Sequence, residues 1–167
     1  MDQVRYGIVG LGNMGSSHLK NLFANKVPGA VVTAVCDIKP DRIEWAKTIC
    51  GDAVAYYSDY KDMLASGKID VVVIATPHYL HPVIGIDAFH AGLNVLSEKP
   101  IGVYTQKIEE FMQVARESGK VFGIMYNQRT NPAYQKMREI VQSGELGQLK
   151  RCIWIITDWY RTQAYYN

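Results

Sequence analysis

Gly10, Gly12 and Gly15 stand at G-x-G-x-x-G spacing, in Gly10-Leu11-Gly12-Asn13-Met14-Gly15, between an apolar run and an amphipathic one. That spacing suits a backbone that must come close to phosphate. The first glycine permits a tight turn, the second admits the pyrophosphate, and the third lets a helix pack close to a strand. The helix that this motif opens adds free N–H donors and a partial positive charge, and Asn13 and Met14 join the glycines as cofactor-binding candidates. Asp37 lies twenty-two positions beyond Gly15, at the end of the second apolar run. A carboxylate there accepts hydrogen bonds from ribose hydroxyls and repels a 2′-phosphate. This favours NAD, while Lys39, two residues on, offers a cation to an extra phosphate and keeps NADP open.

Ala75-Thr76-Pro77 follows the fourth apolar run. Ligands of open parallel sheets lie beyond the carboxyl ends of the strands, so Thr76 and Pro77 are expected to line that crevice. By residue type alone, the same three residues are also an ordinary turn. Lys99 follows the fifth run, where its plain reading is a solvated surface lysine. A lysine can also donate a hydrogen bond to a carbonyl or alkoxide oxygen. The four histidines give no metal site: His81 and His90 are nine residues apart and face different ways on a helix. A metal needs three or four converging ligands, and none is expected.

These residues need a scaffold of alternating strands and helices. Apolar runs at Val4 to Val9, Val31 to Cys36, Val54 to Tyr57, Asp70 to Ala75, Asn94 to Ser97 and Val121 to Ile124 read as strands. Val71-Val72-Val73-Ile74 has no alternation, as in a strand covered on both faces. Helices are expected over Gly15 to Ala24, Pro40 to Ile49, Tyr60 to Ser66, Leu80 to Ala91, Thr105 to Ser118 and Pro132 to Ser143. Gly92 and Gly119 suit left-handed C-terminal positions. The fold class is therefore α/β, a doubly wound parallel sheet of Rossmann type. Gln148 to Tyr166 changes texture, with alternation and many aromatics, including Trp154, Trp159, Tyr160, Tyr165 and Tyr166. It reads as the first strand of a truncated second domain, or else as an edge strand of the first sheet.

The bulk properties fit one ordinary globular domain. The chain has 167 residues, 48% hydrophobic and 20% charged, with a net charge of +2. That charge is too small to argue for nucleic acid or an anionic membrane as a partner. No apolar run is long enough to span a bilayer, and the N-terminus lacks the pattern of a secretory signal. Cys36, Cys50 and Cys152 are odd in number and at no metal-like spacing, which points to reduced thiols in the cytoplasm.

Taken together, the motifs resemble the glucose–fructose oxidoreductase and inositol dehydrogenase family, Gfo/Idh/MocA. The carriers are the glycine loop with His18, Ala75-Thr76-Pro77 with His81, and Ala91-Gly92-Leu93-Asn94-Val95-Leu96-Ser97-Glu98-Lys99-Pro100. Asn127-Gln128-Arg129 and Ser143-Gly144-Glu145-Leu146-Gly147 complete the set. The resemblance implies an NAD(P)-dependent enzyme acting on a hydroxyl or carbonyl of a sugar, cyclitol or related polyol. It implies that Lys99 reaches the substrate, that Glu98 lies near the nicotinamide ribose, and that the Lys99–Pro100 bond is cis. It also places Asn127, Arg129, Thr76 and His81 near the cofactor.

The layout implied is a Rossmann domain over 1–125, a connecting helix over 126–147, and at 148–167 the first strand of an α+β domain. Family members run to about twice this length. The Asp-and-His motif of the family's second domain does not occur in these residues, so the chain is expected to be catalytically incomplete by itself. The full-length protein is expected to be a homo-oligomer. Two other readings stay open at this point: a non-catalytic NAD(P)-sensing module, with no use for Lys99, and a domain recruited for assembly through its aromatic tail.

Overall fold

The computed structural model describes residues 3–157, 160, 162 and 163. It divides into two compact units, 1–126 and 127–167.

The first unit is built from strands β1 (Val4–Val9), β2 (Ala30–Cys36), β3 (Ala55–Tyr57), β4 (Val71–Ile74), β5 (Asn94–Ser97) and β6 (Phe122–Ile124). Between them run helices α1 (Asn13–Phe23), α2 (Pro40–Cys50), α3 (Tyr60–Ala65), α4 (His81–His90) and α5 (Thr105–Glu117). All strand pairs are parallel, in the order β3-β2-β1-β4-β5-β6. The chain thus winds outward from β1 in one direction, then returns to β4 and winds in the other. The loops after β1 and β4 diverge at that reversal and leave a crevice between them.

Each central strand is covered on both faces, which is why its sequence is apolar throughout. Ile8, Val35 and Val73 join Leu11, Leu19, Leu22 and Ala46, the layer that includes α1 and α2. Their neighbours Val9, Cys36, Val72 and Ile74 join Met63, Ile84, Phe89 and Phe111, the layer of α3, α4 and α5. Period-two alternation therefore feeds two separate cores. Gly92 (φ 77°) and Gly119 (φ 65°) end α4 and α5 in left-handed conformation, as their spacing predicts.

Pairing register aligns the strand ends. Val9 lies opposite both Cys36 and Ile74, and Ile74 lies opposite Ser97. The next residue of each strand, Asp37, Gly10, Ala75 and Glu98, therefore stands in one row along the carboxyl edge. The row is stitched by backbone bonds: Gly10 N–H to Cys36 O at 2.8 Å, Ala75 N–H to Val9 O at 2.8 Å, and Glu98 N–H to Ile74 O at 2.9 Å.

The second unit holds a 3-10 turn, Asn127–Thr130, and helix α6 (Pro132–Gln142). The Asn131 side chain caps α6 by accepting the Ala133 N–H at 2.9 Å. The strand expected from Gln148 is not formed over 148–157, which have no regular structure and are exposed. Alternation marks a face, but a strand needs a neighbour to take its backbone hydrogen bonds, and these residues have none in a described ladder. Trp159, Tyr165 and Tyr166 lie outside the described residues. Tyr134 and Trp154 place their rings 5.6 Å apart. No helix among the described residues is long and apolar enough to cross a membrane.

Candidate active site

The three loop glycines are there for different reasons. Gly10 has φ 90°, and a Cβ on it would stand 2.7 Å from the Ala75 carbonyl oxygen. A Cβ on Gly15 would fall on the Gly10 carbonyl, so only glycine lets α1 start this close to β1. Gly12 is unlike both. Its φ of −67° and ψ of −162° are open to any residue, and a Cβ there would meet nothing within 4 Å. The protein itself does not require glycine at position 12. The free space lies at the N-terminus of α1, whose first amides have no partner within the helix. Asn13 and Met14 are the first two residues of that turn. A pyrophosphate fits this cradle by shape and by the polarity of its donors.

Asp37 follows β2 beside the loop. Its Oδ2 accepts the Leu11 N–H at 2.7 Å and its Oδ1 accepts the Lys39 N–H at 2.8 Å. Each carboxylate oxygen has a further lone pair for a ribose hydroxyl. Ile38, next in sequence, is 84% exposed.

Across the crevice, Ala75 and Thr76 are half-buried and Pro77 is exposed. Thr76 Oγ1 is buried without a hydrogen-bond partner among the described residues. His81, by contrast, is fully buried at the start of α4. Its Nδ1 lies 2.7 Å from the Pro100 carbonyl oxygen and its Nε2 lies 2.8 Å from that of Thr76. Neither ring nitrogen is left for a ligand, so this side chain works through the two loops it touches.

Glu98 and Lys99 follow β5. Glu98 is buried, and its Oε1 lies 2.8 Å from His18 Nε2 on α1. Oε2 accepts the Lys99 N–H at 3.2 Å. Lys99 is exposed, its ammonium makes no hydrogen bond or ion pair with a described residue, and its bond to Pro100 is cis. The free ammonium beside a buried carboxylate leaves a cationic donor at the carboxyl edge of the sheet. The His18–Glu98 contact spans eighty residues, and nothing in the spacing of either residue foretells it.

Asn127 and Arg129 lie on the 3-10 turn of the second unit. Within that unit Arg129 lines a cavity of about 880 Å³ with Tyr134, Arg138 and Trp154. Among the described residues, no group of three or more His, Cys, Asp or Glu side chains is placed to hold a metal ion. The Cys36 thiol, next to Asp37, is pushed up to about 12, first by burial and then by the Asp37, Asp59 and Asp62 carboxylates. It is a packing group in the core beneath the crevice.

The chain resembles known dehydrogenases in sequence and in fold. It is 33% identical over 146 residues to an inositol 2-dehydrogenase of Salmonella typhimurium, which covers 87% of this chain and 43% of that protein. An inositol 2-dehydrogenase of Saccharopolyspora erythraea is 32% identical over 147 residues, 86% of this chain and 43% of the relative. Among solved structures, scyllo-inositol dehydrogenase of Lactobacillus casei with bound NAD(H) and scyllo-inositol superposes with a TM-score of 0.82 at 31% identity. That match covers 87% of this chain and 43% of the other. The WlbA dehydrogenase of Bordetella pertussis, in complex with NADH and UDP-GlcNAcA, superposes with a TM-score of 0.81 at 29% identity, over 87% and 44% of the two chains. The chain thus spans less than half the length of the relatives it matches. Residues 4–126 match the Gfo/Idh/MocA family model, and the chain belongs to that oxidoreductase family, as its NAD-binding Rossmann fold.

Proposed function

We propose that this chain is the cofactor-binding part of an enzyme that moves hydride between NAD(H) and a CH–OH or carbonyl carbon of a polyol, cyclitol or sugar. The observation that carries the reading is Gly12: a glycine in a conformation open to any residue, facing empty space at a helix N-terminus. A ligand explains the missing side chain, whereas folding does not. The bound nicotinamide supplies the hydride chemistry, and the protein supplies placement.

The roles follow from position. The Asn13 and Met14 end of α1 holds the phosphates, with Gly10 and Gly15 shaping the loop. Asp37 accepts the adenosine ribose hydroxyls through the lone pairs that Leu11 and Lys39 leave unused, and its charge disfavours a 2′-phosphate. NAD is therefore preferred to NADP. Ala75, Thr76 and Pro77 line the opposite wall, and Glu98 lies at the nicotinamide end. Lys99, with an unpaired ammonium, donates to the reacting oxygen of the substrate and stabilises negative charge there. The substrate class is supported by the inositol and sugar-nucleotide dehydrogenases the chain resembles.

We read Asn127 and Arg129 as the cofactor-facing start of a further domain, to which residues 148–167 contribute a strand once paired. The whole protein is then a homo-oligomer, and its thiols suit the cytoplasm. In this chain Cys36 and Cys50 are buried and unpaired.

The test is a fluorescence titration of the chain with NADH. Micromolar binding, about −8 kcal/mol, is expected. Gly12→Ala should abolish it with the thermal midpoint unchanged. Undiminished binding by that variant would overturn the assignment of Gly12 to the phosphate cradle.

A further inference from the structure

We infer that His18 and His81 are positioning residues that hold the Glu98-Lys99-Pro100 segment from both sides, so that the phosphate cradle and Lys99 share one frame. The inference rests on the cofactor reading above and adds to it the part of the chain that fixes Lys99. Lys99 itself is exposed and its side chain has no partner among the described residues, so its position depends on its neighbours. The residue before it is fixed through its side chain: Glu98 is buried and meets His18 Nε2 at 2.8 Å. The residue after it is fixed through its backbone: the Pro100 carbonyl oxygen lies 2.7 Å from His81 Nδ1.

The two histidines come from the helices that matter most for the crevice. His18 is on α1, which begins at the glycine loop after β1, and His81 opens α4, after β4. β1 and β4 are the pair at which strand order reverses. His18 thus ties the segment after β5 to the helix under the pyrophosphate. His81 ties it to the Thr76 carbonyl on the opposite wall, at 2.8 Å. The hydrogen placement follows from the acceptors. A carboxylate accepts, so His18 Nε2 carries the hydrogen of its contact. Carbonyl oxygens also only accept, so each His81 contact is a hydrogen bond when its ring nitrogen carries the hydrogen.

Two sets of variants of this chain test the brace. His81→Leu keeps bulk and removes both ring nitrogens, so hydrogen exchange at the Lys99 amide should rise about tenfold. His81→Gln keeps an N–H donor and should recover most of the loss. Native-like exchange in His81→Leu, or equal damage in both, would overturn that half. For His18, His18→Leu keeps bulk and removes the donor, while His18→Gln restores an N–H that can reach Glu98. His18→Leu should weaken NADH binding about tenfold and raise hydrogen exchange at the Lys99 amide by a similar factor, as expected when a buried carboxylate loses its partner. His18→Gln should recover most of both, and exchange at Val73 in β4 should not change in either variant. Native-like exchange and affinity in His18→Leu, or equal damage in both variants, would overturn the brace. If the unaltered chain binds no NADH, the cofactor reading fails, while the exchange comparisons still decide the brace.

Discussion

The Leu11 N–H donates to Asp37 Oδ2 at 2.7 Å, so the carboxylate proposed to bind ribose also fixes the backbone of the glycine loop. Its second oxygen takes the Lys39 N–H at 2.8 Å. Asp37→Asn keeps one acceptor oxygen and loses the charge. NADH affinity should fall about tenfold, the cost of one weakened charge-assisted hydrogen bond. NADPH affinity should fall less, because the repulsion of its 2′-phosphate goes too. Parallel titrations with the two cofactors check this; equal losses would count against a ribose role for Asp37.

The loop glycines should separate stability from binding. A Cβ at Gly15 lands on the Gly10 carbonyl, whereas one at Gly12 meets only open space. Gly15→Ala is therefore expected to lower unfolding free energy by about 1–3 kcal/mol, the usual cost of overpacking. Gly12→Ala should stay within about 0.5 kcal/mol of the parent. Urea unfolding without cofactor reads both.

Gly85 and Phe111 form a fitted pair between α4 and α5. A Cβ on Gly85 would run into the Phe111 ring, which also packs with its centroid 5.8 Å from that of Phe89 and 4.9 Å from that of Phe122. Gly85→Ala should cost about 1–3 kcal/mol and Phe111→Ala about 3–5 kcal/mol. The double variant should cost less than the sum, because the new methyl enters the space the ring leaves. Strict additivity in denaturant unfolding would show that the two sites do not share that space.

Cys36 should make the fold sensitive to alkali. Its folded thiol is held at about 12, against an ordinary 9.0. The thiol form is favoured in the native state, so its contribution is complete below pH 9 and is lost as pH rises from there towards 12. Cys36→Ala should flatten the fall in thermal midpoint over that range. In the native chain at pH 8, a thiol reagent should modify the exposed Cys152 before Cys36 or Cys50, both buried. Rapid modification of Cys36 would contradict its placement in the core.

Much of this was legible in the residues because it is local or periodic. The G-x-G-x-x-G turn, the apolar runs of β1 and β5, the proline at the start of α2 and the left-handed glycines after α4 and α5 each depend on a few neighbouring side chains. The expected bounds for these elements agree with the structure to within two residues; α4 starts at His81, one residue after the expected Leu80 and behind a 3-10 turn at His78–Leu80. The alternation after Gln148 does not appear as a strand over 148–157, because a pattern can mark a strand's faces but cannot supply its partner.

What tertiary structure alone decided is register and pairing over distance. Nothing in the sequence states that Val9, Cys36, Ile74 and Ser97 end level, yet that row puts Gly10, Asp37, Ala75 and Glu98 side by side. The same holds for His18 and His81. Their types and positions allow many partners; their contacts with Glu98, Thr76 and Pro100 exist because parallel pairing brings the ends of β1, β4 and β5 together. Sequence fixes which groups can donate or accept, since that is a property of each residue. Which donor meets which acceptor depends on sheet hydrogen bonds and on burial over both faces, and these form only when the whole domain folds.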